Sequence, residues 1–305
     1  MLEIYKSRAG KLEKISEPIR GSWLNISEPK ESDIKRLQGI VKNISEIMDF
    51  VYDIDEVPKI EKEEDYLFIL IRTPQRRSAE PEYFTIPLGI ILTNDYLITL
   101  CTIKNDVIEE LKKARINTAK KIQLVLKLLL ISSRMYLKYL KAINRASYII
   151  QRDLEKSMKN EELIKLLNLE KSLVYFTTSL RSNTLVISKL IKDKVFTRYE
   201  EDRELLEDVR YEYEQALQMA DIYSNILSGM MDAFASIISN NLNRVMKFLT
   251  SVTIILMIPT LIASIYGMNV ELPFQHSEHA FLMTMLLSAI LSLLGILVFW
   301  RKELF

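Results

Sequence analysis

Histidine is almost missing from this sequence: two residues in 305, His276 and His279, both near the C-terminal end. The first 275 residues therefore hold no Ser/His/Asp or Cys/His catalytic arrangement, and we expect no enzyme. Cysteine is a single residue, Cys101, so no intrachain disulfide forms and no oxidising compartment is needed. Glycine numbers seven, against a usual share of about 7%. None builds a Gly-rich phosphate loop, which argues against an ATP-driven pump. The formal net charge is +1 with 27% charged residues, so the basic excess of a nucleic-acid binder is missing. Residues 1–20 are charged throughout and lack an apolar core, so no cleavable signal peptide is expected.

Charge is scarcest near the C-terminus. Between Phe248 and Trp300 only Glu271 and Glu278 are charged. Phe248–Val270 is a run of 23 uncharged residues and Ala280–Trp300 a run of 21. About 20 apolar helical residues span a bilayer, so both runs are long enough. Arg244 and Lys247 precede the first; Arg301 and Lys302 follow the second; the loop Glu271–His279 has no Lys or Arg. The positive-inside rule then places both termini in the cytoplasm and the loop outside. Tyr266 and Trp300 fall at opposite membrane edges, where amphipathic rings are favoured.

The first ~100 residues read as mixed α/β. Tyr66–Ile71, Phe84–Leu92 and Tyr96–Cys101 have strand composition, and Thr93-Asn94-Asp95 joins the last two as a turn. From Val107 to Phe248 there is no proline, and Gly229 is the only glycine. That stretch predicts three long helices, with breaks near Met158–Glu161 and Lys194–Arg198. Ile122–Ser133, interrupted by Lys127, reads as a buried helix of the soluble part. In the third helix Leu217, Ala220, Ser224, Leu227, Met231, Phe234, Ile238 and Leu242 recur every three or four residues on one face. The period enters the first span without a breaker, so a single helix from about Tyr199 to Tyr266 is expected, with several shorter bundled helices as the alternative.

Asn243, Met246, Thr250, Thr253, Met257, Thr260 and Ser264 follow steps of three and four along the first span. Ile254, Ile255, Ile258, Leu261, Ile262 and Ile265 lie opposite. Such a stripe of amide and hydroxyls lines water or packs helices together; spacing alone leaves both open. The second span, polar only at Thr284, Ser288 and Ser292, reads as an outer helix. Two helices per chain cannot enclose a pore, so a channel requires a ring of copies, with the stripe from Leu217 to Ser264 packed around its axis.

Tyr266-Gly267-Met268-Asn269, directly after the first span and before a short loop, resembles the signature of the CorA family. Asn243-Arg244-Val245-Met246-Lys247-Phe248-Leu249-Thr250, Pro259-Thr260 and Ile262–Tyr266 extend the match, and Ile226–Asp232 resembles the family's stalk before the membrane. Trp23–Ile26 and Pro58–Glu61 look like its N-terminal landmarks. The resemblance implies an α+β cytoplasmic domain, a long stalk helix and two C-terminal transmembrane helices, assembled as a homopentameric funnel in the cell (inner) membrane. It divides the chain into residues 1–110 (α/β domain), 111–198 (helical hairpin), 199–247 (stalk), 248–270 (pore helix), 271–279 (outer loop), 280–300 (second span) and 301–305 (tail). It also implies uptake of Mg²⁺, with Co²⁺ or Ni²⁺, down the electrochemical gradient.

Mg²⁺ gives up its water reluctantly. A neutral ring of Asn269 amides and Gly267 carbonyls, with Met268 and Glu271 beside it, suits a hydrated ion, and Gly267 is expected to let the chain leave the helix there. Thr260 and Asn243 supply further oxygens, while Met246, Leu249 and Met257 form apolar constrictions. By position relative to Asn269, Asp208 matches a family aspartate that binds regulatory Mg²⁺ between subunits. Its nearest N-terminal partner is Asp53, with Asp49 or Asp55 as alternatives. Lys247, Arg301 and Lys302 form a reduced basic collar, since Glu303 follows them. Pro273 is followed by Phe274 where many members carry an acid, leaving Glu271 and Glu278 to attract cations. The His276–His279 pair reads as a plain exposed loop or a transition-metal site. Acidic runs Glu61–Asp65 and Glu200–Asp208 read as solvated faces. Two other readings remain: proton-coupled zinc transport in the same fold, disfavoured by the lack of an intramembrane acid, and a membrane-anchored sensor or scaffold, which needs no polar stripe.

Overall fold

A computed structural model describes residues 1–8, 11–77, 82–157, 160–274 and 277–302. The chain divides into two compact units, Met1–Gly229 and Met230–Phe305. The division falls at the one glycine between Val107 and Phe248.

The first unit runs β1 (Leu2–Arg8), β2 (Lys11–Ile15), β3 (Trp23–Ser27), α1 (Glu31–Gln38), α2 (Ile44–Tyr52), β4 (Lys59–Lys62), β5 (Tyr66–Arg76), β6 (Tyr83–Thr93), β7 (Leu97–Cys101), α3 (Asp106–Lys113), α4 (Lys121–Ser157) and α5 (Asn160–Lys192), and ends in the upper part of α6 (Glu200–Tyr266). The strands form one seven-stranded sheet in the order β2-β1-β3-β7-β6-β5-β4. Among the described residues only the β3–β7 pair is parallel; the other neighbours are antiparallel.

Strand alternation sends side chains to opposite faces. Leu24, Ile26, Phe68, Leu70, Ile91, Ile98 and Leu100 pack with Ile44, Ile47, Met48 and Val51 of α2. Gly89 permits that close approach, since a Cβ there would meet Val51 Cγ2 at 2.8 Å. On the other face Trp23 Nε1 donates to Thr99 Oγ1 at 2.9 Å, and Thr99 Oγ1 donates to Asn25 Oδ1 at 2.9 Å, satisfying a buried polar row. Here α5 is tied to β5 by Asn183, which accepts from Arg72 N at 2.9 Å and donates to Arg72 O at 2.7 Å. From α4, Tyr136 Oη donates to the same carbonyl at 2.9 Å. Asn105 caps α3 by accepting from Val107 N at 2.9 Å, as a polar N-cap should.

The three strands expected from composition are β5, β6 and β7, and the Thr93 turn closes with Tyr96 N donating to Thr93 Oγ1 at 2.9 Å. Four further strands are missing from that reading; β2 (KLEKI) and β4 (KIEK) are too short and charged to signal themselves. The break at Lys194–Arg198 separates α5 from α6, whereas Met158 and Lys159 of the other break lie outside the described residues. The buried helix expected at Ile122–Ser133 is the first third of α4, with Leu124–Leu126, Leu128 and Leu129 buried.

The apolar repeat on α6 needs correcting. Ala220 is fully buried and Leu227 is 2% exposed within a single chain. On this part of the helix Tyr213 lies 6.4 Å from Tyr136, Glu212 accepts from Arg134 Nε at 3.3 Å, and Asp221 pairs with Arg181 at 3.7 Å. As far as Leu227 this face is turned to the protomer's own α4 and α5 and not to a symmetry axis, whereas Ile238 and Leu242 of the same repeat are exposed.

The second unit contains the rest of α6, then α7 (Ala280–Arg301). Both helices hold membrane-length windows, with mean hydropathy 2.2 and 2.5 and only 11% and 6% of each window buried. Core helices of a soluble protein would be covered; these present their apolar surface outward, as bilayer spans do. Thus α6 is the single helix expected, one residue short of Tyr199 at its start.

Candidate functional site

The lower part of α6 offers two opposite faces. Ser251, Ile255, Ile258 and Ile262 share one; Ser251 and Ile262 are buried. Facing them, α7 sets Thr284, Ser288, Ser292 and Gly295 in a row, with Ser288 buried. A Cβ on Gly295 would meet Ile258 Cδ1 at 3.3 Å and Ile255 Cγ1 at 3.9 Å. Small residues thus let the two backbones approach, the usual device for helices in lipid. Sequence reading put polarity on α7 but not its role: its hydroxyls face α6.

The polar stripe of α6 lies away from this contact. Asn243, Met246, Thr250, Thr253, Met257, Thr260 and Ser264 are all exposed in the protomer, as is Leu249. Packing between α6 and α7 therefore does not account for the hydroxyls. Thr253 Oγ1 donates to Leu249 O at 2.8 Å and Thr260 Oγ1 to Leu256 O at 3.2 Å. With their protons committed to their own helix, these oxygens present lone pairs outward. Acceptors suit the water shell of a cation, whose hydrogens point outward.

Above Asn243 the same alternation of three- and four-residue steps continues through Ser239, Ser236 and Asp232, all exposed. Asp232 is the functional candidate that sequence reading missed. The apolar repeat ending at Leu242 drew attention to a neighbouring face, about 100° away around the helix. Continuing the polar spacing upward from Asn243 would have found it.

At the other end, Gly267 N donates to Ala263 O at 2.9 Å and Met268 N to Ile265 O at 3.2 Å. The chain leaves the helix at Gly267, as expected, since α6 ends at Tyr266, but it does so without a positive φ; among the described residues the positive φ in this loop belongs to Phe274, at 65°. The helix unwinds through ordinary angles and the chain turns later, at Pro273-Phe274. Tyr266 Oη reaches Pro273 O at 3.5 Å and links helix end to loop. Met268, Asn269 and Glu271 are exposed, and the Asn269 amide has no hydrogen-bond partner among the described residues.

The family model described as CorA-like Mg²⁺ transporter protein matches residues 20–302. The chain belongs to this family. The cobalt/magnesium transport protein CorA of Methanocaldococcus jannaschii is 30% identical over 301 residues, covering 96% of this chain and 94% of that protein. The cobalt/magnesium transport protein CorA of Thermotoga maritima is 26% identical over 260 residues, covering 82% and 73%. The complete structure of the Methanocaldococcus jannaschii CorA magnesium transporter superposes with a TM-score of 0.84 at 28% identity, covering 99% of this chain and 98% of that one.

The other residues singled out by the CorA resemblance are dispersed within one chain. Asp208 is exposed in a shallow hollow with Arg203, Glu204 and Glu207. Asp53 ends α2, where its Oδ1 accepts from Asp55 N at 2.9 Å; Asp49 and Asp55 are also exposed. No bond joins Asp208 to any of these three, and no group of three or more His, Cys, Asp or Glu able to hold a metal occurs among the described residues. Lys247, Arg301 and Lys302 are exposed, Lys247 just before the first span and the other two at the end of the second. His279 precedes α7, its N–H donating to Ser277 Oγ at 3.3 Å; His276 and Glu303 lie outside the described residues.

Proposed function

We propose that this chain is a Mg²⁺ transporter of the cell (inner) membrane that works as a ring of five copies, with both termini cytoplasmic. The observation that carries this reading is the exposed oxygen and methionine stripe from Asp232 to Ser264, on the side of α6 opposite α7. Turned to the axis of a ring, that stripe gives a carboxylate and serine approach at the cytoplasmic end, then alternating hydroxyl and apolar levels. Met246, Leu249 and Met257 are the constrictions that close by excluding water. At the outer mouth Asn269 supplies a neutral ring of amide oxygens, which bonds the water shell of Mg²⁺ without trapping the ion. Glu271 and Glu278 concentrate cations there. Co²⁺ and Ni²⁺, which take similar oxygen-rich hydrated forms, are further cargo. Asp208, with Asp53, Asp49 or Asp55 of a neighbouring copy, supplies carboxylates for a regulatory Mg²⁺ that favours the closed ring.

The test is Asn269→Ala. Mg²⁺ uptake should fall at least tenfold, while mass measurement in detergent still finds five copies. Glu271→Gln should cost less, with an effect that fades as salt rises, because a loop charge acts through screened attraction. Wild-type uptake by assembled Asn269→Ala would place selectivity elsewhere.

A further inference from the structure

A cavity of the first unit, about 890 Å³, is formed by the β4–β5 turn, the β6–β7 turn, the start of α4, the α5–α6 connection and the first turn of α6. Its size is that of a small-molecule site, and no step of ion conduction uses it. Its walls are of two kinds. Leu67, Leu92, Ile122 and Val195 give it an apolar lining, with Tyr199 at the rim. Seven carboxylates and three lysines also line it, an excess of four negative charges.

Most of these charges have partners. Glu201 pairs with Lys120 at 3.6 Å, Asp193 with Lys62 at 3.9 Å, and Asp65 with Lys42 at 2.9 Å. Lys121 donates to the carbonyls of Thr93 at 2.6 Å and Asn94 at 2.5 Å. Asp202 differs. It is only 4% exposed, and its Oδ1 is buried with no hydrogen-bond partner. A carboxylate in that position is costly unless something cationic answers it. The first turn of a helix tolerates an acid through its dipole, but that leaves Oδ1 unbonded.

We propose that this cavity binds a linear di- or polyamine, with one ammonium on Asp202, the methylene chain along the apolar lining, and further ammonium groups on the rim carboxylates. A bare metal ion fits less well. The cavity is far larger than one ion, and no three metal-ligating side chains converge among the described residues. An amine with spaced charges matches both kinds of wall. This inference is independent of the transport reading.

The probe is spermidine, titrated calorimetrically into the full-length detergent-solubilised protein in Mg²⁺-free buffer. One spermidine should bind per chain and raise the thermal midpoint. Asp202→Asn, which keeps the shape, should weaken binding about tenfold, the worth of a hydrogen bond to a charged group, without lowering the midpoint of the amine-free protein. Val195→Trp, which fills the space without changing charge, should abolish binding. Unchanged affinity in either variant overturns the proposal. So does absence of binding, or several weak sites that vanish with salt. Stabilisation by Mg²⁺ alone that depends on Asp202, with none by spermidine, also overturns it and assigns the cavity to a metal.

Discussion

Two carboxylates show how opposite roles follow from surroundings. Asp208 is exposed and makes no ion pair among the described residues, so its charge is available to a ligand. On the account above, Asp208→Ala should leave transport intact at low internal Mg²⁺ but relieve inhibition at millimolar internal Mg²⁺, read as uptake into liposomes of fixed internal concentration. Unchanged inhibition removes Asp208 from regulation. Glu3 is the contrary case. Burial raises its pKa, but hydrogen bonds from Lys112 at 2.8 Å and Lys14 at 3.0 Å outweigh that and lower it to about 2. A depressed carboxylate pKa contributes stability that is full above the unfolded value, 4.5, and is lost as pH falls towards 2. Glu3→Gln should therefore destabilise the protein by about 1 kcal/mol at neutral pH and flatten its acid unfolding across that window. An unaltered acid profile would mean that the Glu3 pairs do not persist in solution. The role of Glu3 was not legible in the sequence, since its lysines come from β2 and from α3, the latter 109 positions away.

At the scale of elements, α6 decides most of what the molecule does. Its length was readable because Gly229 is the only glycine and Pro259 the only proline in the segment, and its polar stripe was readable because hydroxyls interrupt an otherwise apolar run. Its burial was not. Whether Ala220 and Leu227 face an axis or their own α4 and α5 depends on contacts with residues 40 and 78 positions away in the chain, such as Arg181 with Asp221 and Arg134 with Glu212, and helical period cannot report that. The α6–α7 contact was hidden for a similar reason: Gly295 carries no sequence signal until Ile255 and Ile258 are seen against it. That contact gives a stability prediction. Gly295→Ala should be tolerated, because its Cβ would meet only the tip of Ile258 at 3.3 Å. Gly295→Leu should force the helices apart and cost about 1–3 kcal/mol, lowering the thermal midpoint in detergent. Equal midpoints for the two variants would show that the helices do not pack through this glycine.

For the whole molecule, composition was enough to separate a charged α/β part from two spans, and Tyr266–Asn269 together with the matching stretches around it pointed to the family. The strands β2 and β4 were not visible, because short polar strands gain their stability from neighbours in the sheet rather than from their own sequence. A single chain encloses no pathway among its described residues: α6 exposes its polar stripe, which on the proposed reading copies around an axis would enclose. The central claim is that this face passes Mg²⁺ without a coupled proton. The direct measurement is flux into liposomes reconstituted with the purified chain, comparing Mg²⁺, Co²⁺, Ni²⁺ and Zn²⁺ with and without a pH gradient. The account predicts Mg²⁺ entry down its own gradient, unaffected by the pH gradient. Zinc entry that requires the proton gradient, or no flux of any of the four ions, would contradict it.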